Sequence, residues 1–265
     1  VIGTEEEQAE AILDDLYRPL YLIETPIVRT RRRSAELIKY ASNAFLAVKI
    51  SFINEMANLC ERAGADVHEI ARGMGLDRRI GSKFLHPGPG FGGSCFPKDT
   101  HAILRTAEEL DEPLRIIGAA VAVNDERAER MLAKIREVVG EPLAERTIAL
   151  LGLAFKPQTD DVRESPALKV AARLREAGAR VRAFDPVASE TARAAGFDGE
   201  IVDDEYQACE GADAVAIATE WNQFRNLDLD RIKRVLRQPI MIDMRNVYER
   251  ADVEAKGFTY TAVGR

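Results

Sequence analysis

The sharpest chemical signal in the sequence is a thiol placed where a helix begins. Residues 87–95 read Pro-Gly-Pro-Gly-Phe-Gly-Gly-Ser-Cys, and Pro97 follows where a helix favours its first residue. Ile103, Leu104, Ala107 and Leu110 carry a helical period onward. Cys95 is therefore expected at a helix N-terminus, whose positive pole and free N–H groups favour the nucleophilic thiolate. Lys98 adds positive charge, and Asp99 falls one turn on, near enough to orient or deprotonate a water. The flanking glycines would let a ligand approach the sulfur and expose backbone N–H groups to anions. Position alone leaves a second reading open, a small residue in a glycine-rich turn, because His68, His86 and His101 have no triad spacing.

Other polar residues recur where a ligand could meet them. Lys39 and Asn43 stand at i and i+4 of an apolar helix, so both project from one face. Such groups need partners, either a ligand oxygen or neighbours within the bundle. Lys156, Arg163 and Arg245 fall near the carboxyl ends of expected strands and suit a diphosphate, with surface ion pairs as the alternative. Gly152-Leu153-Ala154-Phe155-Lys156 keeps the first glycine of the dinucleotide fingerprint G-x-G-x-x-G and loses the others. Asp185, at the end of the next strand, either bonds a ribose or opens an Asp-Pro turn.

These residues need a scaffold, and the hydrophobic period supplies one. Residues 1–4 read as the end of a strand and 5–17 as a helix. A strand with no earlier partner, in a chain without an initiating Met, suggests that a domain has been removed upstream. A helix is expected over 34–62, with Ser34 as N-cap and Gly64 as stop. Shorter helices follow at 67–74 and after Cys95, and one long helix spans 114–139. From Thr147 the period changes. Strands are expected at 148–151, 181–184, 214–218 and 240–242, with a helix opened by Ser165-Pro166 and ended by Gly178. The chain thus reads as α/β: an all-helical region, then a parallel sheet covered on both faces, with ligands beyond the strands' carboxyl ends.

Bulk properties narrow the class. The 265 residues carry a net charge of −7, with 46% hydrophobic and 31% charged residues, values ordinary for a globular protein and opposed to a nucleic-acid-binding surface. The basic cluster at residues 29–33 reads as a solvated turn before a helix. Three cysteines without metal-ligand spacing indicate neither a disulfide framework nor a metal site. No run approaches a bilayer span and no signal peptide is visible, so the cytoplasm is the expected compartment. The 34–62 helix is more apolar than one buried stripe requires, which predicts a homodimer or larger assembly.

Three strings carry a resemblance: A-E-L-I-K-Y-A-S-N-A-F-L-A from Ala35, F-L-H-P-G-P-G-F-G-G-S-C-F-P-K-D from Phe84, and G-L-A-F-K-P-Q-T-D-D-V-R-E-S-P from Gly152. Together with T-E-W-N-Q-F from Thr219, they closely resemble the UDP-glucose/GDP-mannose dehydrogenase family, and within it the UDP-glucose 6-dehydrogenases. The resemblance implies three segments: the end of an NAD-binding domain (1–33), a central helical catalytic and dimerisation domain (34–139), and a Rossmann-like UDP-binding domain (140–265). It implies NAD-dependent oxidation of UDP-glucose to UDP-glucuronate, in which Cys95 forms thiohemiacetal and thioester intermediates. Lys39 and Asn43 would stabilise oxyanions and Asp99 would position or activate water. Phe84, Leu85, His86, Pro87, Gly88 and Gly92, with Phe155, Lys156 and Arg245, would hold the UDP-sugar, and Arg79 would reach the partner subunit's site. Lys98 and Arg163 match positions that touch NAD, most of whose site would lie in a missing domain, so the chain alone is expected to be inactive. The alternatives are a dehydrogenase of GDP-mannose or a UDP-N-acetylhexosamine, and a non-catalytic nucleotide-binding dimerisation module.

Overall fold

A computed structural model describes residues 1–21 and 26–265. Residues 22–25, inside the segment assigned above to the end of a first domain, lie outside that description. The N-terminal strand β1 (Ile2–Gly3) does find a partner later in the chain: it pairs in parallel with β2 (Arg29–Thr30) across helix α1 (Glu7–Tyr17). The basic cluster at 29–33 is correspondingly not a solvated turn. It forms β2 and the start of the next helix, with Arg29 on Asp14 and Arg32 on Glu5.

Helix α2 (Arg32–Ala63) runs for 32 residues and ends, as expected, on Gly64 in the left-handed conformation at φ 70°. Its start differs from expectation. Ser34 lies inside the first turn, Arg31 occupies the N-cap, and the Glu5 carboxylate accepts from the Arg32 backbone N–H at 3.2 Å. A carboxylate from a distant segment thus serves the first orphan donor, a role that local pattern assigns to a nearby Ser. The boundary expected at residue 34 consequently falls within a continuous helix.

Helices α3 (Val67–Gly75) and α4 (Phe96–Glu109) lie on either side of the glycine-rich loop. The single helix expected over 114–139 is two, α5 (Arg115–Asp125) and α6 (Arg127–Val139), joined at Glu126 with ψ −14°. The joint sits between Asn124 and Arg127, two polar residues buried at core positions, both turned onto the loop before Cys95.

The second region is a six-stranded, all-parallel sheet of β3 (Thr147–Leu151), β4 (Arg180–Phe184), β5 (Glu200–Ile201), β6 (Ala214–Ile217), β7 (Ile240–Asp243) and β8 (Thr259–Ala262). Their spatial order is β5-β4-β3-β6-β7-β8, the doubly wound order that reverses between its first and fourth strands. The connecting helices are α7 (Pro166–Glu176), α8 (Ser189–Ala194), α9 (Glu205–Cys209), α10 (Leu229–Val235) and α11 (Arg250–Ala255). Strands β3, β6 and β7 are buried along their whole length, so they read as unbroken apolar runs. Sequence pattern missed β5 and β8, the two edge strands, which lack that signal.

Both regions share one core. Ile53, Ala57 and Val67 join Met131 and Ile135 of α6, and these join Ile148, Leu150 and Ile217 of the sheet. Polar ties cross the same seam: Val67 N–H donates to Gly264 O at 3.0 Å, Gly264 N–H to Glu61 at 2.7 Å, and Gly93 N–H to Arg163 O at 2.8 Å. The glycine-rich loop is therefore held between the helical region and the strand ends.

Candidate active site

Cys95 is the N-cap of α4, with Phe96 and Pro97 in the first turn, and it is exposed. One turn on, the Asp99 N–H donates to Cys95 O at 2.8 Å, and the Asp99 side chain turns inward, where the residue is only 2% exposed. Three donors converge on it. Lys39 Nζ and Asn43 Nδ2 of α2 donate to Oδ2 at 3.1 and 2.5 Å, and Lys98 Nζ donates to Oδ1 at 2.7 Å. Burial opposes ionisation of this carboxyl, but the hydrogen bonds from Lys98, Lys39 and Asn43 outweigh it and hold Asp99 below the usual carboxylate range. The same contact with Asp99 holds Lys98 above the usual ammonium range.

The expectation for Lys39 and Asn43 needs one correction. Lys39 is not buried, its side chain being 60% exposed, and its partner is the buried Asp99. Lys39 places one of three N–H donors on Asp99, and Asn43 one of two, so both keep donors for another acceptor.

Cys95 opens on a cleft of about 930 Å³ lined also by Ser94, Lys98, His101, Asp125, Arg163 and Glu164. Arg163 pairs with Asp161 at 2.8 Å, a bond that raises its guanidinium above the usual range, and its side chain stays 69% exposed. Lys156 is exposed and lies 5.4 Å from the Phe155 ring centroid. Arg245 leaves the end of β7, donates to Ala218 O at 2.8 Å and Phe155 O at 3.2 Å, pairs with Glu220, and lies against Gly88. Phe155, Arg245 and Gly88 are thus brought together, while Gly92 lies against Glu164 and Pro166.

Other candidates fall differently. Arg79 pairs with Asp77 on an exposed turn and touches none of the other candidates. Leu85 is a core side chain at 3% exposure, so only its backbone is left for a ligand. Phe84, at φ 66°, packs edge-on against Phe96, Pro87 is buried, and His86 is exposed.

The loop glycines also serve a purpose unlike the one composition suggested. A Cβ on Gly92 would stand 2.1 Å from Glu164 O, and one on Gly93 would stand 2.7 Å from the Phe155 ring. They let the two regions close on each other, rather than leaving room beside the sulfur. Asp185 is likewise no ribose ligand. Its carboxylate accepts from the N–H groups of Leu153, Ala154, Val187 and Ala188 and from Trp221 Nε1, which saturates it.

Sequence reading missed Asn54, Asn124 and Arg127, which grip the loop from behind, and Asn58, which accepts from Arg127. The available signal was polar residues standing at core positions of an apolar helical period.

The fold and cleft together define a class: a doubly wound α/β domain joined to a helical arm that presents a thiol and a lysine-bound carboxylate at a ligand-sized opening. Residues 33–126 match the central domain of the UDP-glucose/GDP-mannose dehydrogenase family, and residues 149–250 match that family's UDP binding domain. A UDP-glucose 6-dehydrogenase of Rhizobium meliloti (strain 1021) is 51% identical over the whole chain, which spans 61% of that relative. One of Bacillus subtilis (strain 168) is 46% identical, again over the whole chain and 57% of the relative. Among solved structures, a UDP-glucose dehydrogenase from the archaeon Pyrobaculum islandicum superposes with a TM-score of 0.86 at 41% identity, over 94% of this chain and 56% of that one. The chain belongs to the UDP-glucose/GDP-mannose dehydrogenase family, of which it carries the central and UDP binding domains.

A nicotinamide cofactor does not fit the crevice of this sheet. Where the strand order reverses, a Cβ on Gly152 would stand 2.5 Å from Thr219, and Trp221 and Asp185 close the space by bonding each other. Lys98 and Arg163 are both exposed at the cleft rim. Among the described residues no helix is long and apolar enough to cross a membrane.

Proposed function

We propose that the whole protein carrying this chain oxidises the C6 hydroxyl of UDP-glucose to a carboxylate, with Cys95 as covalent nucleophile. The observation that carries this reading is the convergence of Lys39, Asn43 and Lys98 on buried Asp99, one helical turn from an exposed thiol. The names of the two bacterial relatives above support the substrate. A nicotinamide cofactor, bound chiefly outside this chain, would supply the acceptor for the two hydrides removed from C6.

This chain's own residues do the rest. The Cys95 thiolate adds to the C6 aldehyde, giving a thiohemiacetal whose oxygen takes the spare N–H donors of Lys39 and Asn43. Oxidation of that adduct gives a thioester, which water cleaves to release the acid and restore the thiol. Asp99, ionised and bound by two ammonium groups, is a weak base. Its role is to hold Lys39 and Asn43 in place and to orient the water. Arg245, Lys156 and Phe155, with the 84–92 loop, hold the nucleotide end.

A homodimer completes the reading. Ile38, Phe45, Phe52 and Leu59 recur every seven residues along α2 and are 37%, 64%, 39% and 58% exposed. An apolar seam with that spacing suits a second long helix. Arg79 would then reach the partner subunit's site.

The test is NADH formation by the whole protein with UDP-glucose, set against GDP-mannose and a UDP-N-acetylhexosamine. Turnover with UDP-glucose that disappears in Cys95→Ser is the expected result. Undiminished acid formation in that variant would remove Cys95 from the chemistry, and preference for another sugar nucleotide would reassign the substrate.

A further inference from the structure

The loop ahead of Cys95 is held by a set of side chains that the reaction itself does not use. Arg127 is 1% exposed, and both Nε and Nη2 donate to Gly88 O, at 3.0 and 2.8 Å. Its third contact is Asn58 Oδ1 at 2.9 Å, and among the described residues it has no ion pair with a carboxylate. From the α2 side, Asn54 Oδ1 accepts from Gly88 N–H at 2.8 Å. Asn124 takes both polar groups of Phe91, its Oδ1 accepting from N–H at 2.7 Å and its Nδ2 donating to O at 3.2 Å.

A buried guanidinium facing only neutral acceptors is an expensive way to hold a turn. Burial drives its pKa down to about 10. What the arrangement achieves is selective. The backbone groups of Gly88 and Phe91 are all consumed from the interior. The amide N–H groups of Gly90 and Gly92, in residues that are themselves buried, have no acceptor among the described residues. Buried amides of that kind call for a partner.

We propose that Arg127, with Asn54 and Asn124, forms a positioning set. It pins the loop at Gly88 and Phe91 and so leaves the amides of Gly90 and Gly92 as its donors to the bound sugar nucleotide. The inference rests on the nucleotide-sugar reading above. Arg127 touches neither substrate nor thiol in this scheme, and acts through the loop.

The experiment uses the whole protein and compares wild type with Arg127→Met, Arg127→Lys and Asn124→Ala. It measures KM and kcat with UDP-glucose, the thermal midpoint, and the UDP concentration that protects Cys95 from alkylation by iodoacetamide. Arg127→Met is expected to raise KM and the protecting UDP concentration together, by about tenfold, for the loss of two charge-assisted hydrogen bonds. Its kcat should change by less than about threefold, and Arg127→Lys should recover part of the loss. A variant that loses thermal stability while KM and the protecting concentration stay within about twofold of wild type overturns the proposal in favour of a structural role. If UDP fails to protect Cys95 in the wild type, the nucleotide-sugar reading fails and takes this inference with it. Should Arg127→Met not fold, hydrogen exchange in the wild type decides. The Gly88 and Phe91 amides should be slow before UDP is added, and those of Gly90 and Gly92 should be slowed only by it. The reverse pattern overturns the proposal.

Discussion

Two loops in this molecule lead through a glycine into a helix, and they have opposite characters. The loop after β3, beginning at Gly152, is closed. Thr219 fills the space over the glycine, Asp185 binds the Leu153 and Ala154 amides, and Ser165 Oγ donates to Leu153 O. The loop before α4 is anchored from behind by Asn54, Asn124 and Arg127 and ends in an exposed thiol beside an open cleft. The closed loop sits where the doubly wound order would place a dinucleotide, and the open one sits in the helical region. Hydrogen-bond saturation, rather than glycine content or place in the topology, separates a turn whose backbone is closed from one whose backbone can receive a ligand.

The largest expected effect sets an exposed cysteine against a buried one. Cys95→Ser in the whole protein should lower acid formation by about a thousandfold or more with little change in thermal midpoint. Cys209 is buried, and burial pushes its thiol up to about 12. Cys209→Ser should leave the rate per folded molecule intact and cost about 1–2 kcal/mol of stability, readable by denaturant unfolding. Iodoacetamide labelling of Cys209 ahead of Cys95 would collapse the contrast.

Adding one methyl group to each loop comes next. Gly92→Ala drives a Cβ to 2.1 Å from Glu164 O, and Gly152→Ala puts one 2.5 Å from Thr219 at φ +99°. Each should lose about 3 kcal/mol or more. The Gly92 change should weaken UDP binding more than the Gly152 change, which calorimetry on the folded fraction would read. Equal binding losses would mean that the backbone of the loop after β3 contributes as much to the ligand site as the loop before α4.

Asp99→Asn is expected to slow turnover by about ten- to a hundredfold, because Lys39 and Asn43 lose the carboxylate that places them. Its acid dependence has a definite sign. The folded carboxyl is held below its ordinary value, so the stability it contributes is complete above the unfolded value near ~4 and is lost as pH falls through the lower folded value. Removing the charge should therefore flatten the thermal midpoint's decline below about pH 4. An unchanged acid limb would mean that the three donors do not stabilise the ionised form.

The smallest effect on each folded chain is expected from Phe45→Asp with Phe52→Asp. Both side chains are exposed, so the change should cost less than about 1 kcal/mol within a protomer. Light scattering should nonetheless show a monomer. A dimer that survives the double change would move the interface away from α2.

Much of this was legible without coordinates, for reasons that differ by residue. The buried runs at β3, β6 and β7, the 32-residue α2 with its Gly64 stop, and Cys95 at a helix start all follow from period and punctuation within a few turns of chain. The edge strands β5 and β8 were missed because their pairing is short or half-exposed. The joint at Glu126 was missed because the helical period runs on through Asn124 and Arg127, and their polar character at core positions has a reason only once the loop they hold is in place. Ser34 looked like a cap because nothing local announces Glu5.

By itself, then, the sequence determined helix α2 and the buried strands β3, β6 and β7, that a thiol stands at a helix N-terminus, and which basic residues follow the strands. These depend on neighbours one to four positions away. Only the tertiary structure decided that Asp99 is buried under donors 56 and 60 residues distant, that Asp185 is already saturated, and that the glycines of one loop exist to let two regions touch. Whether a polar group is free to meet a ligand depends on every donor and acceptor within about 3 Å of it, and that census is assembled only when distant parts of the chain meet.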